Sequence, residues 1–101
     1  MQLPIIDLHC DLLLYLEGGK QRTACDLSAR CAIPQLRDGN VRLQIMAIFA
    51  ETGPDSSEKG WSQVLIYQEL PFKHPKEFVH FFPSWDRSSS RIAILPAIEN
   101  A

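Results

Sequence analysis

The chain has 101 residues, 46% of them hydrophobic and 22% charged, with a formal net charge of −2, which is the composition of one ordinary globular domain. Lys and Arg total 10 against 12 Asp and Glu and are scattered along the chain, so nucleic-acid binding through a basic surface is not expected. No apolar stretch, residues 12–16 included, comes near the roughly 20 needed to cross a bilayer, and residues 3–6 follow no basic region and are cut at once by Asp7, so neither a membrane span nor a signal peptide is expected.

In chain order, three apolar segments of strand length stand out: residues 3–9, 41–50 and 92–98. They read as nearly continuous hydrophobic runs, the pattern of parallel strands covered on both faces. Roughly 30 and 40 residues separate them, enough for a helical crossover in each gap, so the coarse order is β-α-β-α-β. In the first gap, residues 11–17 read as a short helical turn stopped by Gly18 and Gly19, residues 20–30 as a polar loop, and residues 33–39 as a short helix with Pro34 near its start and Gly39 at its end. In the second gap, residues 51–59 are rich in Gly, Pro, Asp and Ser and read as a surface loop that opens on Glu51. Trp61, Val64, Leu65 and Gln68 then recur at helical spacing, predicting an amphipathic helix over residues 60–70 that Pro71 stops. A second short helical piece is predicted within residues 75–82, through 77–81, followed by an exposed polar stretch over 83–90. Pro96 cannot donate a ladder hydrogen bond, so the third strand is expected to end early or bulge there.

The chemistry concentrates at the ends of the first and third strands. In an extended strand His9 and Asp11 point to the same side and can hold one metal ion, and Glu99 can supply a further ligand. Metal-binding residue types at the C-terminal ends of buried strands form the layout of an active-site rim in a β/α barrel. Ligation at roughly 2.0–2.2 Å requires the three side-chain tips to lie within about 3–6 Å of one another. A His two residues from an Asp is, on its own, more often a simple hydrogen-bonded pair. Asp7 shares their face and could orient a metal-bound imidazole. Gln44, alone among apolar neighbours, reads as a satisfied core amide or a group lining the site, the structural role being favoured slightly. His74 and His80 do not share a helical face and are expected to face solvent. Trp61, Phe78, Phe81 and Trp85 are expected in packing. Cys10 is expected to be a small buried residue, and Cys25 and Cys31 to be exposed thiols; three cysteines with no CxxC pair suggest a reducing, cytoplasmic setting.

Three segments resemble the N-terminal part of the renal-type (membrane) dipeptidases, zinc metallopeptidases of the amidohydrolase-like barrel class. Ile6-Asp7-Leu8-His9-Cys10-Asp11 is similar to that family's Asp-x-His-x-Asp on strand one. Ile33 to Val41, leading to Gln44, looks like its helix-Gly-x-Val-x-x-Gln approach to strand two, and Ala97-Ile98-Glu99 is similar to its apolar-Glu segment. Asn100 stands where relatives commonly have glycine. The resemblance implies an α/β fold made of the first three β/α units of a TIM-type (β/α)8 barrel, incomplete here, with residues 1–101 forming the N-terminal part of one barrel domain. It implies a binuclear Zn2+ site in which His9 and Asp11 bind one ion and Glu99 bridges both. The implied activity is hydrolysis of dipeptides, with a homodimer possible at full length. No catalytic residue beyond the metal ligands is assignable, because the remaining ligands and the proton-handling group of such enzymes lie further along a barrel of roughly 250 residues. Two alternatives stand beside this reading: a non-catalytic remnant that binds metal or a partner chain, and an amidohydrolase acting on another amide.

Overall fold

The structure, a computed structural model, describes residues 3–50, 53–85 and 89–100. The elements are β1 (Ile5–Asp7), α1 (Leu12–Glu17), a 3-10 turn (Leu27–Ala29), α2 (Ile33–Asp38), β2 (Val41–Ala50), α3 (Ser56–Lys73), β3 (Phe78–His80) and β4 (Ile92–Asn100). The strands form one four-stranded parallel sheet in the order β1-β2-β4-β3. The class is therefore α/β with a parallel sheet, as expected, and the predicted third strand is β4.

Passing from β1 to β2 and on to β3 moves in one direction across the sheet, and the chain then steps back to set β4 between β2 and β3. Right-handed crossovers then place their helices on the same face, and α1 and α3 do pack against each other and against β2. Between them and the sheet lies the core, in which Leu12, Leu13 and Leu70 meet Met46, Ile48, Phe78, Ile92 and Ile94. Six residues are too few for α1 to persist alone. Full burial of Leu12 and Leu13, at about 1.5–3 kcal/mol each, is what holds it.

β2 is entered through Asn40, which adopts a left-handed φ of 56° after α2. The expected helix stop, Gly39, keeps φ at −81°, so the reversal falls on Asn40, a residue that tolerates this region. Its side-chain amide donates to the Leu3 carbonyl at 2.7 Å, and its own carbonyl accepts from the Ile5 N–H at 3.0 Å. The start of β1 is thereby tied to the start of β2.

Several expectations are corrected. β1 ends at Asp7 instead of reaching residue 9, because beyond it the chain keeps only the bond from the Ala47 N–H to the Cys10 carbonyl, at 2.9 Å, before turning into α1. The loop after β2 is shorter than expected because α3 already starts at Ser56, and Glu51 lies outside the described residues. Pro71 does not stop α3, which runs to Lys73. The carbonyl that Pro71 cannot reach belongs to Tyr67, and the His80 ring nitrogen Nε2 takes it at 3.2 Å while stacking on the Tyr67 ring at 4.7 Å. His80 is thus half-buried and not solvent-facing. His74, also half-buried, ends α3 and lies edge-on to Phe78 at 6.1 Å.

Residues 77–81 do not form a helix; Phe78–His80 pair instead with Ile92–Ile94 as edge strand β3. Pro96 causes no break, since the β2–β4 register runs without a shift from Leu43 opposite Ala93 to Ala50 opposite Asn100. The Ile94 carbonyl accepts from Phe81 on the β3 side. Pro96, two residues on, directs its missing N–H to the same side, past the end of β3, where no ladder partner is lost. Trp61 is 64% exposed and Leu65 45%, so the buried stripe of α3 runs instead through Gln63 and Leu70.

Candidate metal centre

Parallel strands put their C-terminal ends on one side of a sheet, and three of the sequence-predicted ligands meet there. Glu99 stands on β4 opposite Phe49 of β2, in the next-to-last pair of the ladder. His9 and Asp11 follow β1, outside the strand. Their approach comes from the turn into α1, where Asp11 occupies the cap position with φ −103° and ψ 30°, and not from strand alternation.

One ligand atom from each of His9, Asp11 and Glu99 lies within 4.8 Å of the others, inside the range that shared ligation requires. His9 Nε2 is 3.2 Å from Asp11 Oδ1, and His9 Nδ1 is 3.1 Å from Glu99 Oε2. Donor atoms around a tetrahedral ion with bonds of 2.0–2.2 Å are about 3.3–3.6 Å apart, so the His9 Nε2–Asp11 Oδ1 separation suits a small divalent cation, whereas Glu99 faces the other ring nitrogen and must close in from the wider 4.8 Å cluster to join the same ion. A nitrogen and carboxylate oxygens form a donor set that zinc accepts. The two ring nitrogens face different carboxylates, so one can bind an ion while the other donates to an acceptor, as metal-bound imidazoles require. Asp7 plays a different part from the one expected. Its Oδ1 accepts the backbone N–H of His9 at 3.4 Å and does not reach the ring.

His9 titrates above the ordinary histidine value of 6.5, chiefly because Asp11 accepts a hydrogen bond from the protonated ring. Desolvation, the next influence in size, opposes this, while the charges of Asp11, Glu99 and Asp7 act in the same direction as the hydrogen bond. All three ligand side chains are open to solvent, at 49%, 55% and 42% exposure for His9, Asp11 and Glu99.

A cavity of about 490 Å³ adjoins the cluster, lined by His9 and Asp11 together with Cys10, Tyr15, Arg30 and Cys31. A larger one, about 640 Å³, lies between α1 and α3 and includes none of the three ligands. The wall formed by the 20–30 segment is held by Asp26, which accepts from the Tyr15 hydroxyl at 2.7 Å and from the Thr23 N–H at 2.9 Å. Those bonds, the Thr23 N–H first, hold its carboxyl below the usual range. Cys10 is buried as expected, but Cys31 is half-buried and not exposed. The neighbouring Cys31 and burial push the Cys10 thiol up, and Cys10 holds the Cys31 thiol down against the opposing effect of burial.

Gln44 is fully buried on β2, its amide donating to Ile45 and Asp7 carbonyls at 3.0 and 3.4 Å, while its Oε1 has no partner. Sequence reasoning missed Gln63, the other fully buried amide, on α3. Its Nε2 donates to the Phe49 carbonyl at 2.5 Å and to Glu17 Oε1 at 3.1 Å, and its Oε1 accepts the Phe49 N–H at 2.8 Å. The side chain thus acts as the strand partner that β1 is too short to provide. A polar residue spaced four and seven positions from Tyr67 and Leu70 was the available signal.

Among the described residues no helix is long and apolar enough to cross a membrane. Compared with known proteins, the chain matches no protein-family model and no curated protein.

Proposed function

We propose that this chain carries the first metal-binding segment of a zinc-dependent hydrolase acting on the peptide bond of dipeptides, built as the first β/α units of a barrel of the renal-type dipeptidase class. The observation that carries the reading is the convergence of His9, Asp11 and Glu99 within 4.8 Å at the C-terminal end of a parallel sheet. The neighbouring order β1, β2, β4, with α1 and α3 on one face, fits a barrel wall better than a doubly wound sheet, in which helices cover both faces; the short edge strand β3 lies in the connection between β2 and β4.

In this reading His9 and Asp11 would hold one ion, and Glu99 would supply the carboxylate shared with a second. Bound zinc lowers the pKa of water and polarises a carbonyl oxygen, which is the chemistry amide hydrolysis needs. The chain's own contribution is positional. The cap position of α1 fixes Asp11, the Asp7 carboxylate restrains the His9 backbone, and the β2 ladder fixes Glu99.

Zinc titration of the purified chain tests the proposal. His9→Ala and Asp11→Ala are expected to weaken binding by more than the roughly 10–100-fold typical of losing an outer-shell partner, whereas His74→Ala is expected to leave it unchanged. Equal affinity in wild type and His9→Ala would overturn the assignment.

A further inference from the structure

The cavity of about 640 Å³ between α1 and α3 is lined by none of the three candidate metal ligands, so a role for it stands apart from theirs. Its volume falls within the roughly 300–1,000 Å³ of small-molecule sites. One wall is apolar: Leu16 of α1 faces Leu65, Ile66 and Leu70 of α3. Leu70 is 2% exposed and Leu65 45%, so this wall runs from the core out to solvent. Three cations, Lys20, Arg22 and Lys73, line the same cavity against one carboxylate, Glu17, whose Oε1 already accepts from Gln63 at 3.1 Å. The local balance is thus positive in a chain of net charge −2.

Arg22 is fixed in place. Its Nη1 donates to the Tyr15 carbonyl at 2.9 Å, and its guanidinium carbon lies 4.7 Å from the centre of the Tyr15 ring. The guanidinium also crosses Gly18 so closely that a Cβ there would collide with it. The hydrogen bond uses Nη1 alone, and a guanidinium carries about five N–H donors, so the group is held with donors to spare. Lys20 is exposed and has no hydrogen bond or ion pair among the described residues, while Lys73 makes only a solvent-exposed pair with Glu69 at 3.4 Å.

We propose that this cavity binds a medium-chain acyl carboxylate, its alkyl chain on Leu16, Leu65, Ile66 and Leu70 and its carboxylate on the Arg22 guanidinium. A planar carboxylate matches the arginine fork, and Lys20 and Lys73 add attraction for the same charge. A neutral chain of equal length leaves the cations unanswered, and a short carboxylate leaves the apolar wall wet. A group already held in its binding geometry loses little freedom when the ligand arrives.

The test is a titration of the full chain, metal-free and carrying labelled methyl groups, with sodium decanoate, 1-decanol and acetate. Decanoate is expected to shift the methyl signals of Leu16, Leu65, Ile66 and Leu70, acetate to leave them unmoved, and octanoate to bind more weakly by up to about fourfold for each methylene no longer buried. Arg22→Met is expected to weaken decanoate about tenfold, the lower range for a hydrogen bond to a charged group. Lys20→Glu, at an exposed side chain without a partner, is expected to weaken it about threefold, and Lys59→Glu, an equal change of net charge on α3 outside the cavity, to leave it unchanged. Equal affinity for decanoate and decanol, or decanoate affinity unaltered in both Arg22→Met and Lys20→Glu, would overturn the carboxylate assignment. Shifts confined to the exposed Leu3, Leu8 and Ile98, or binding that begins only where decanoate forms micelles, would overturn the site.

Discussion

His9 is where local chemistry and the candidate function meet, because one imidazole faces two carboxylates through its two nitrogens. Hydrogen bonding to Asp11 is the largest influence raising its pKa, so Asp11→Asn is expected to lower that pKa more than Glu99→Gln does. The sign of the stability effect follows by linkage. With the folded pKa above the unfolded value of about 6.5, the stabilisation is fully present below 6.5 and is lost as pH rises through the folded pKa. NMR titration of the His9 ring in the metal-free chain, with urea midpoints taken across the same pH range, measures both. A ring that titrates at or below 6.5 would mean that the carboxylates do not face it in solution.

Among the elements, β2 depends on a substitute partner. Beyond Cys10 no strand among the described residues covers its β1 side, and Gln63 of α3 satisfies both backbone groups of Phe49. Gln63→Leu is therefore expected to cost about 1–3 kcal/mol for each group left unpaired in the interior, read as a lowered urea midpoint at unchanged slope. A loss below about 0.5 kcal/mol would show that water replaces the amide without penalty. The same kind of long-range repair explains what was legible in the sequence. Runs of apolar residues announced β2 and β4, and Pro34 with the glycines bracketed the short helices, because those signals are local. Pro71 and Pro96 misled because their missing N–H groups are compensated by geometry that sequence does not display: a histidine from β3 meets the Tyr67 carbonyl, and the edge at Pro96 requires no donor. Residues 78–80 were read as helix because a three-residue strand has no period of its own and exists only through pairing with Ile92–Ile94. The convergence of His9, Asp11 and Glu99 was foreseen from residue type and spacing, but by strand alternation; the turn at Asp11 that produces it was not visible.

At the scale of the whole molecule, the sheet is open. Four strands do not close a barrel, which needs about eight with a consistent tilt and stagger. Leu3, Ile6 and Leu8 around β1 are 77%, 60% and 75% exposed, and Ile98 beside Glu99 is 84% exposed, which is apolar surface of the kind that further strands or a partner chain would cover. The candidate ligands share this openness, so nothing in the described residues excludes water from them or provides the low-dielectric surroundings in which charge stabilisation becomes large. Two-metal hydrolysis also needs a full set of ligands for the second ion and a group to carry the proton, whereas the described residues bring together three candidate ligands in one cluster. The 101 residues alone are therefore expected to bind zinc weakly, to self-associate through the bare strand edges, and to show no turnover of dipeptides. The measurement is a zinc-supplemented assay on a panel of dipeptides against a chelated control, with light scattering on the same sample. Chelator-sensitive turnover by a monodisperse monomer would refute this, because a lone open sheet would then have supplied the whole reaction. The same turnover confined to a dimer would mean that a second copy completes the ligand set, and its activity should fall on dilution as the dimer dissociates.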